Sequence, residues 1–262
     1  MEKAQLIARL AETEADKVLL ARIYDRILGA ERKNVPAATC FLSKREQALI
    51  RELLRGMELR FFGGYPNAER SVCCWIPDYW EPEDWLHGDD GPVCALRASF
   101  FAEDQLSHRD VLGALMGIGI KRETVGDLLV GEGQFDFLVT REIRPYVLQN
   151  LETAGRTKLH LSSIGLEQLE PPEARTIAMR DTVAALRLDS IVASGFHLSR
   201  SKAALLVESG KTAINDLPCE KPDRMVAEGD QISVRGLGKI VLTTVSGTTK
   251  KGRTGVVISR FV

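Results

Sequence analysis

Apolar residues recur at helical spacing from the start of the chain. Leu6, Ile7, Leu10, Val18, Leu19, Ile23 and Ile27 fall on one stripe, and Gly29 ends it, which predicts one long helix. A second helix opens at Ser43, where S-K-R-E places Glu46 for a capping box, and runs to about Gly56. Residues 57–62 and 71–76 then predict strands around the turn-rich G-G-Y-P-N. Residues 77–92 are rich in Pro, Gly and acids and keep no period, so a boundary is expected there. Residues 1–88 are read as an N-terminal α+β domain.

Strand and helix patterns alternate in the next segment. Residues 93–101 predict a strand, and Ser107 with Asp110 caps a helix that ends at Gly117 and Gly119. Strands at 128–130 and 135–139 flank the turn G-E-G. Thr140 is expected to cap a second helix reaching about residue 153, and 157–161 predicts a last strand. This is the order of a ferredoxin-like domain, shared with RNA-recognition modules, over 89–165. Phe135 and Phe137 share one strand face, where they either stack bases or fill the core; the usual RNA-recognition signature is absent. E-Q-L-E-P-P-E (167–173) reads as a linker to a small α+β domain over 175–262. There Asp181 is expected to cap a helix carrying Val183, Leu186, Ile191 and Val192, and Ser199 a second whose inner face is Ala203, Leu206 and Val207. T-A-I-N-D and E-G-D-Q-I-S-V read as strands with turns, and a hairpin joins 241–245 to 256–261. The fold class is α+β in three parts.

Composition narrows the function. A 44% hydrophobic and 27% charged chain is ordinary for a globular protein. No run approaches the roughly 18 apolar residues of a membrane span, and the N-terminus lacks a signal-peptide core, so no membrane partner and a cytoplasmic location are expected. The five cysteines are odd in number, Cys73 and Cys74 are adjacent, no C-x-x-C occurs, and the four histidines are scattered. Reduced thiols are expected, with no zinc site and no cofactor. Charge is uneven. Residues 1–174 hold 21 Lys and Arg against 28 Asp and Glu; residues 175–262 hold 14 against 8. A basic module on an acidic body is the footprint of a polyanion partner.

The cations concentrate where Ser199 opens its helix. Arg200 and Lys202 occupy the first turn, Lys211 follows the helix, and Arg187 stands on the neighbouring one. Cations oppose the dipole at a helix start, so helix energetics do not explain them. Open N–H groups with flexible cations beside them suit phosphate; a solvated face is the plain alternative. Two further groups share that ambiguity: His108, Arg109, Lys121 and Arg122 around the central glycine-bearing helix, and Lys250, Lys251 and Arg253 at the terminal hairpin. Gly113, Gly117 and Gly119 do not form a G-x-G-x-x-G loop, because Arg122 stands at the last position, and they follow a helix where a nucleotide loop follows a strand.

R-L-D-S-I-V-A-S-G-F-H-L-S-R-S-K-A-A-L-L-V-E-S-G-K-T-A-I-N-D, continued by K-P-D-R-M-V-A-E-G-D-Q-I, resembles the small RNA-binding domain named after ribosomal protein S-four, over 187–232. The resemblance implies that Arg187, Ser199, Arg200, Ser201, Lys202 and Lys211 line an RNA surface, with Asp189 supporting Arg200. F-L-S-K-R-E-Q, G-G-Y-P-N-A-E-R and L-S-H-R-D-V-L-G-A-L-M-G-I-G-I-K-R-E-T-V-G-D-L-L-V, in this order before that module, resemble the YlmH family. That likeness implies a bacterial, three-part, non-enzymatic RNA-binding factor, monomeric, with rRNA and tRNA of the large ribosomal subunit as partners. It further implies a role in quality control of stalled subunits holding peptidyl-tRNA.

Two other classes are weighed. R-L-D with a following S-G is similar to the motif around the catalytic aspartate of pseudouridine synthases, but only 73 residues follow Asp189, too few for the catalytic sheet around a flipped base. No methyltransferase loop and no G-x-S-x-G elbow occur, so no catalytic residue is assigned. A cell-division scaffold would leave the basic final third unexplained. Arg200→Glu is expected to cut RNA binding with little change in melting, as for an exposed charge.

Overall fold

The computed structural model describes residues 3–101, 103–104, 106–171, 175–248 and 252–261. They form two compact units, Met1–Pro172 and Glu173–Val262.

The first unit opens with two helices where the pattern predicts one. α1 (Lys3–Leu10) stops, and α2 (Glu14–Lys33) restarts at Thr13, whose side chain accepts from the Asp16 N–H while the Asp16 carboxylate accepts from the Thr13 N–H. With β1 (Ala37–Leu42), α3 (Lys44–Leu53), β2 (Arg60–Phe62) and β3 (Ser71–Trp75), they make a three-stranded antiparallel sheet, β1-β3-β2, backed by α1–α3. The expected capping box at Ser43 and Glu46 is present. The acidic stretch contributes α4 (Pro82–His87), whose Trp85 and Leu86 are buried.

β4 (Val93–Ser99), α5 (His108–Gly117), β5 (Val125–Val130), β6 (Gln134–Thr140), α6 (Arg144–Asn150), the short hairpin β7 (Thr153–Ala154) and β8 (Thr157–Lys158), and β9 (His160–Ile164) follow. Their sheet runs β5-β6-β4-β9, all antiparallel, which is the ferredoxin-like order. A turn of 3-10 helix over Arg141–Ile143 precedes α6, and the Thr140 side chain makes no cap.

Both faces of this sheet are covered. Cys94, Leu96, Ala98, Phe135, Phe137 and Val139 face α5 and α6, and both phenylalanines are fully buried. Base stacking on Phe135 and Phe137 is therefore ruled out by their burial. Val93, Ala95 and Leu138 face the other way and join Ala38, Phe41, Val72 and Cys74 of the first sheet in one core. At Gly126 a Cβ would stand 2.7 Å from a Phe41 ring carbon and 2.9 Å from the Leu138 Cβ, so only glycine admits this approach. Asp127 in β5 fastens the G-G-Y-P-N-A-E-R loop: it accepts from Tyr65 Oη at 2.6 Å and from the Glu69 and Arg70 N–H groups at 2.7 and 3.0 Å. The segments 1–88 and 89–165 thus share one body.

The second unit is a six-stranded sheet, β10-β15-β14-β13-β11-β12, carrying two helices. Its elements are β10 (Thr176–Val183), α7 (Leu188–Gly195), α8 (Arg200–Glu208), β11 (Thr212–Ile214), β12 (Leu217–Pro218), β13 (Gln231–Val234), β14 (Gly238–Thr248) and β15 (Thr254–Phe261). The expected helix cap at Asp181 is overturned: Asp181 and Val183 lie in β10, paired in unbroken register with β15 from Thr176 against Phe261 to Val183 against Thr254. Leu188, Ile191, Val192, Ala203 and Val207 pack onto Ile232, Ile240, Leu242 and Ile258.

Candidate nucleic-acid interface

The start of α7 is fixed from outside the helix. Leu188 N–H donates to Arg224 O at 2.8 Å and Asp189 N–H to Pro222 O at 3.0 Å, so the segment around Arg224 satisfies donors that a helix start leaves open. This holds Asp189 under the surface, its side chain 5% exposed. Its carboxylate accepts from Arg187 Nε at 3.1 Å and Nη2 at 3.2 Å, from Arg200 Nε at 3.1 Å and from Ser190 Oγ at 3.3 Å. Burial alone would raise the pKa of Asp189, but the bonds from Arg187 and Arg200 and their charges outweigh it, and the carboxyl is held below the usual range. One buried anion thus holds two guanidinium groups, at 34% and 56% side-chain exposure, each with N–H donors beyond those bonded to Asp189. Such an array matches phosphate oxygens.

α8 supplies the rest. The Ser199 side chain caps it by accepting from the Lys202 N–H at 3.3 Å, so Ser199 serves the helix. Ser201 and Lys202 are exposed on the first turn, and Lys211 is exposed immediately before β11. Arg253 turns its guanidinium back onto Thr182, donating to the side chain at 3.0 Å and to the carbonyl. Lys250 and Lys251 lie outside the described residues. Lys221 and Arg224 are exposed in the segment that staples α7 and whose Met225 bridges to Arg187. Sequence reasoning did not single them out, although K-P-D-R-M was legible as part of the module.

The central cations do not form one cluster. His108 and Arg109 are exposed at the start of α5, and Lys121 lies past its far end, about 15 Å away along a ten-residue helix. Arg122 is half-buried and donates to the carbonyls of Val125 at 2.5 Å and Gly126 at 3.2 Å. Burial, with the charge of Arg70 nearby, pushes its pKa down. Arg122 is committed to its own turn.

Chemistry elsewhere is quiet. Cys73 is buried and its thiol is pushed up to about 12, and burial raises Cys74 and Cys40 as well. Among the described residues, no three His, Cys, Asp or Glu side chains stand together as metal ligands, and no helix is long and apolar enough to cross a membrane. The Arg200→Glu expectation also changes. Arg200 is half the pairing of a buried carboxylate, so its reversal carries a folding cost that a solvated cation lacks.

Comparison with known proteins places this geometry. The family model "Putative RNA-binding domain in YlmH" matches residues 99–168, and the S4 domain model matches residues 186–232. The ribosome-associated protein quality control protein P2 of Bacillus subtilis (strain 168) is 36% identical over 225 residues, 85% of this chain and 86% of the relative. The chain belongs to the YlmH family. A solved structure, the cell division protein ylmH from Streptococcus pneumoniae, superposes with a TM-score of 0.50 at 21% identity, over 61% of this chain and 98% of that one. It shares the fold. Within this YlmH protein the S4 match contains Arg187, Asp189 and Arg200, which the geometry brings together, with Lys202 on α8 and Lys211 in the turn after it. β10, β14 and β15 flank it from outside the match.

Proposed function

We propose that this YlmH protein is a non-enzymatic RNA-binding factor that docks on structured RNA of the large ribosomal subunit, rRNA and peptidyl-tRNA included. It acts there as a monomer in quality control of stalled subunits. The observation that carries the reading is the pair of part-exposed guanidinium groups anchored on one buried aspartate in the S4 domain. The name of the Bacillus relative supports the ribosomal setting. Covered sheet faces in the first unit argue against base stacking there, which favours the second unit as the main RNA contact.

The pseudouridine-synthase reading loses support from the same site. A catalytic aspartate must reach a flipped base, whereas Asp189 lies beneath two arginines and is occupied by four donor contacts. Gradient sedimentation of a cell extract tests the proposal. The protein should travel with large subunits, and Lys202→Glu with Lys211→Glu should move it to the top fractions. Unchanged sedimentation of that double variant would refute docking through this face.

A further inference from the structure

Beside Arg200 lies a groove larger than phosphate contacts require. It is open to solvent and spans about 400 Å3 between the end of β10, α7 and the start of α8, within the range of small-molecule sites. Part of its wall is foreign to the S4 match, because Asp181 and Thr182 come from β10 and Arg253 from the turn before β15. The wall is also tied together. Ser194 Oγ of α7 donates to Asp181 Oδ2 at 2.6 Å, and Arg253 Nε donates to Thr182 Oγ1 at 3.0 Å.

The lining is graded. Ala184, Ala193 and Leu198 give apolar surface, and Arg200 and Arg253 give two cations. His197, exposed and held at a left-handed φ of 53°, adds an imidazole ring in the turn between the helices. The Asp181 carboxylate repels a phosphate from its own part of the groove yet still offers lone pairs to a hydroxyl or amino donor. Apolar surface, an anionic acceptor, a ring and two cations together match the parts of a single nucleotide. They do not match a paired backbone, whose phosphates stay on the surface while its bases remain stacked inside the helix.

We propose that this groove takes one unstacked nucleotide of the docked RNA, with base and ribose inside and its phosphate at Arg200. The inference rests on the RNA-docking reading and sharpens it: the RNA recognised carries a bulge, loop or free end at this point. The test is fluorescence-anisotropy titration of the full-length protein with two synthetic RNA hairpins, one fully paired and one with a single bulged nucleotide in the stem. The bulged hairpin should bind about tenfold more tightly, the scale of one stacked base. Ala184→Trp, which fills the groove from an exposed position, should bring the bulged RNA to the affinity of the paired one. His197→Asn, which tolerates the same backbone conformation, should reduce the preference without depending on the fate of the tryptophan variant. Lys202→Glu should weaken both RNAs in parallel. Equal binding of the two hairpins by the wild type, or a preference that survives Ala184→Trp, overturns the groove proposal while leaving docking intact. If Lys202→Glu weakens neither RNA, docking and groove fall together.

Discussion

Asp189→Asn separates an organised phosphate site from a merely positive surface, because the two give opposite signs. The substitution removes one negative charge beneath the RNA face. At about 6 Å from a phosphate, with the effective dielectric of about 20 found at a protein surface and the roughly 8 Å screening length of physiological salt, that change alone strengthens binding by roughly 1.3 kcal/mol. It also removes the ionic anchor of Arg187 and Arg200, which reach Asp189 through three N–H contacts of 3.1–3.2 Å. Each released arginine must then be ordered on binding, at about 0.5–1.5 kcal/mol apiece, or about 2 kcal/mol for the pair. The net is a loss of about 0.7 kcal/mol, close to threefold in Kd. Anisotropy titration of the full chain with structured RNA at fixed salt reads this directly, with thermal melting alongside to confirm folding. Tighter binding by a folded Asp189→Asn protein would refute preorganisation and leave only bulk charge.

The other predictions use the same structure. If about five cations meet phosphates, log K against log salt should fall with a slope of about −4; a slope near −1 contradicts the proposed footprint. Arg200→Glu should lower the melting transition of the second unit, since it adds a carboxylate beside buried Asp189, at a cost of about 1–2 kcal/mol. Acid should act on Asp189 and on Asp16, which hydrogen bonds from Arg45 hold well below the ordinary carboxylate value. Their stabilisation is fully present above the unfolded value of about 3.9 and is lost as pH falls through the lower folded values, so melting should be flat in these terms from pH 8 to 5 and drop only in stronger acid. Gly64→Ala should destabilise the first unit by more than about 2 kcal/mol: φ there is +90° and a Cβ would stand 2.4 Å from Leu138 Cδ2.

Much of this architecture could be read from local pattern, and the misses have physical causes. Ser43 with Glu46 and Ser107 with Asp110 announce their helices, because a capping box is complete within four residues. Thr13 with Asp16 is the same device, but the apolar stripe from Leu6 to Ile27 continues across it and hides the break. β10 was invisible for another reason. Asp181 and the apolar residues after it imitate a helix start, while the partner that makes the segment a strand, β15, lies some seventy residues away in the chain. The fusion of 1–88 with 89–165 was equally hidden: Phe41, Gly126 and Leu138 meet only after two sheets have formed. At the candidate site the residue types were legible and the depth was not. R-L-D and S-R-S-K mark Arg187, Asp189 and Arg200, but only the fold shows that Asp189 is buried between the arginines and that Arg122 is spent on its own turn.

Protein–RNA crosslinking in living cells, with the crosslinked peptides and nucleotides both mapped, bears most directly on the central claim that the second unit grips folded RNA. Crosslinked peptides should concentrate between Arg187 and Lys211 and map to nucleotides of large-subunit RNA. Crosslinks confined to residues 1–172, or none at all on a protein that still sediments with ribosomes, would contradict it.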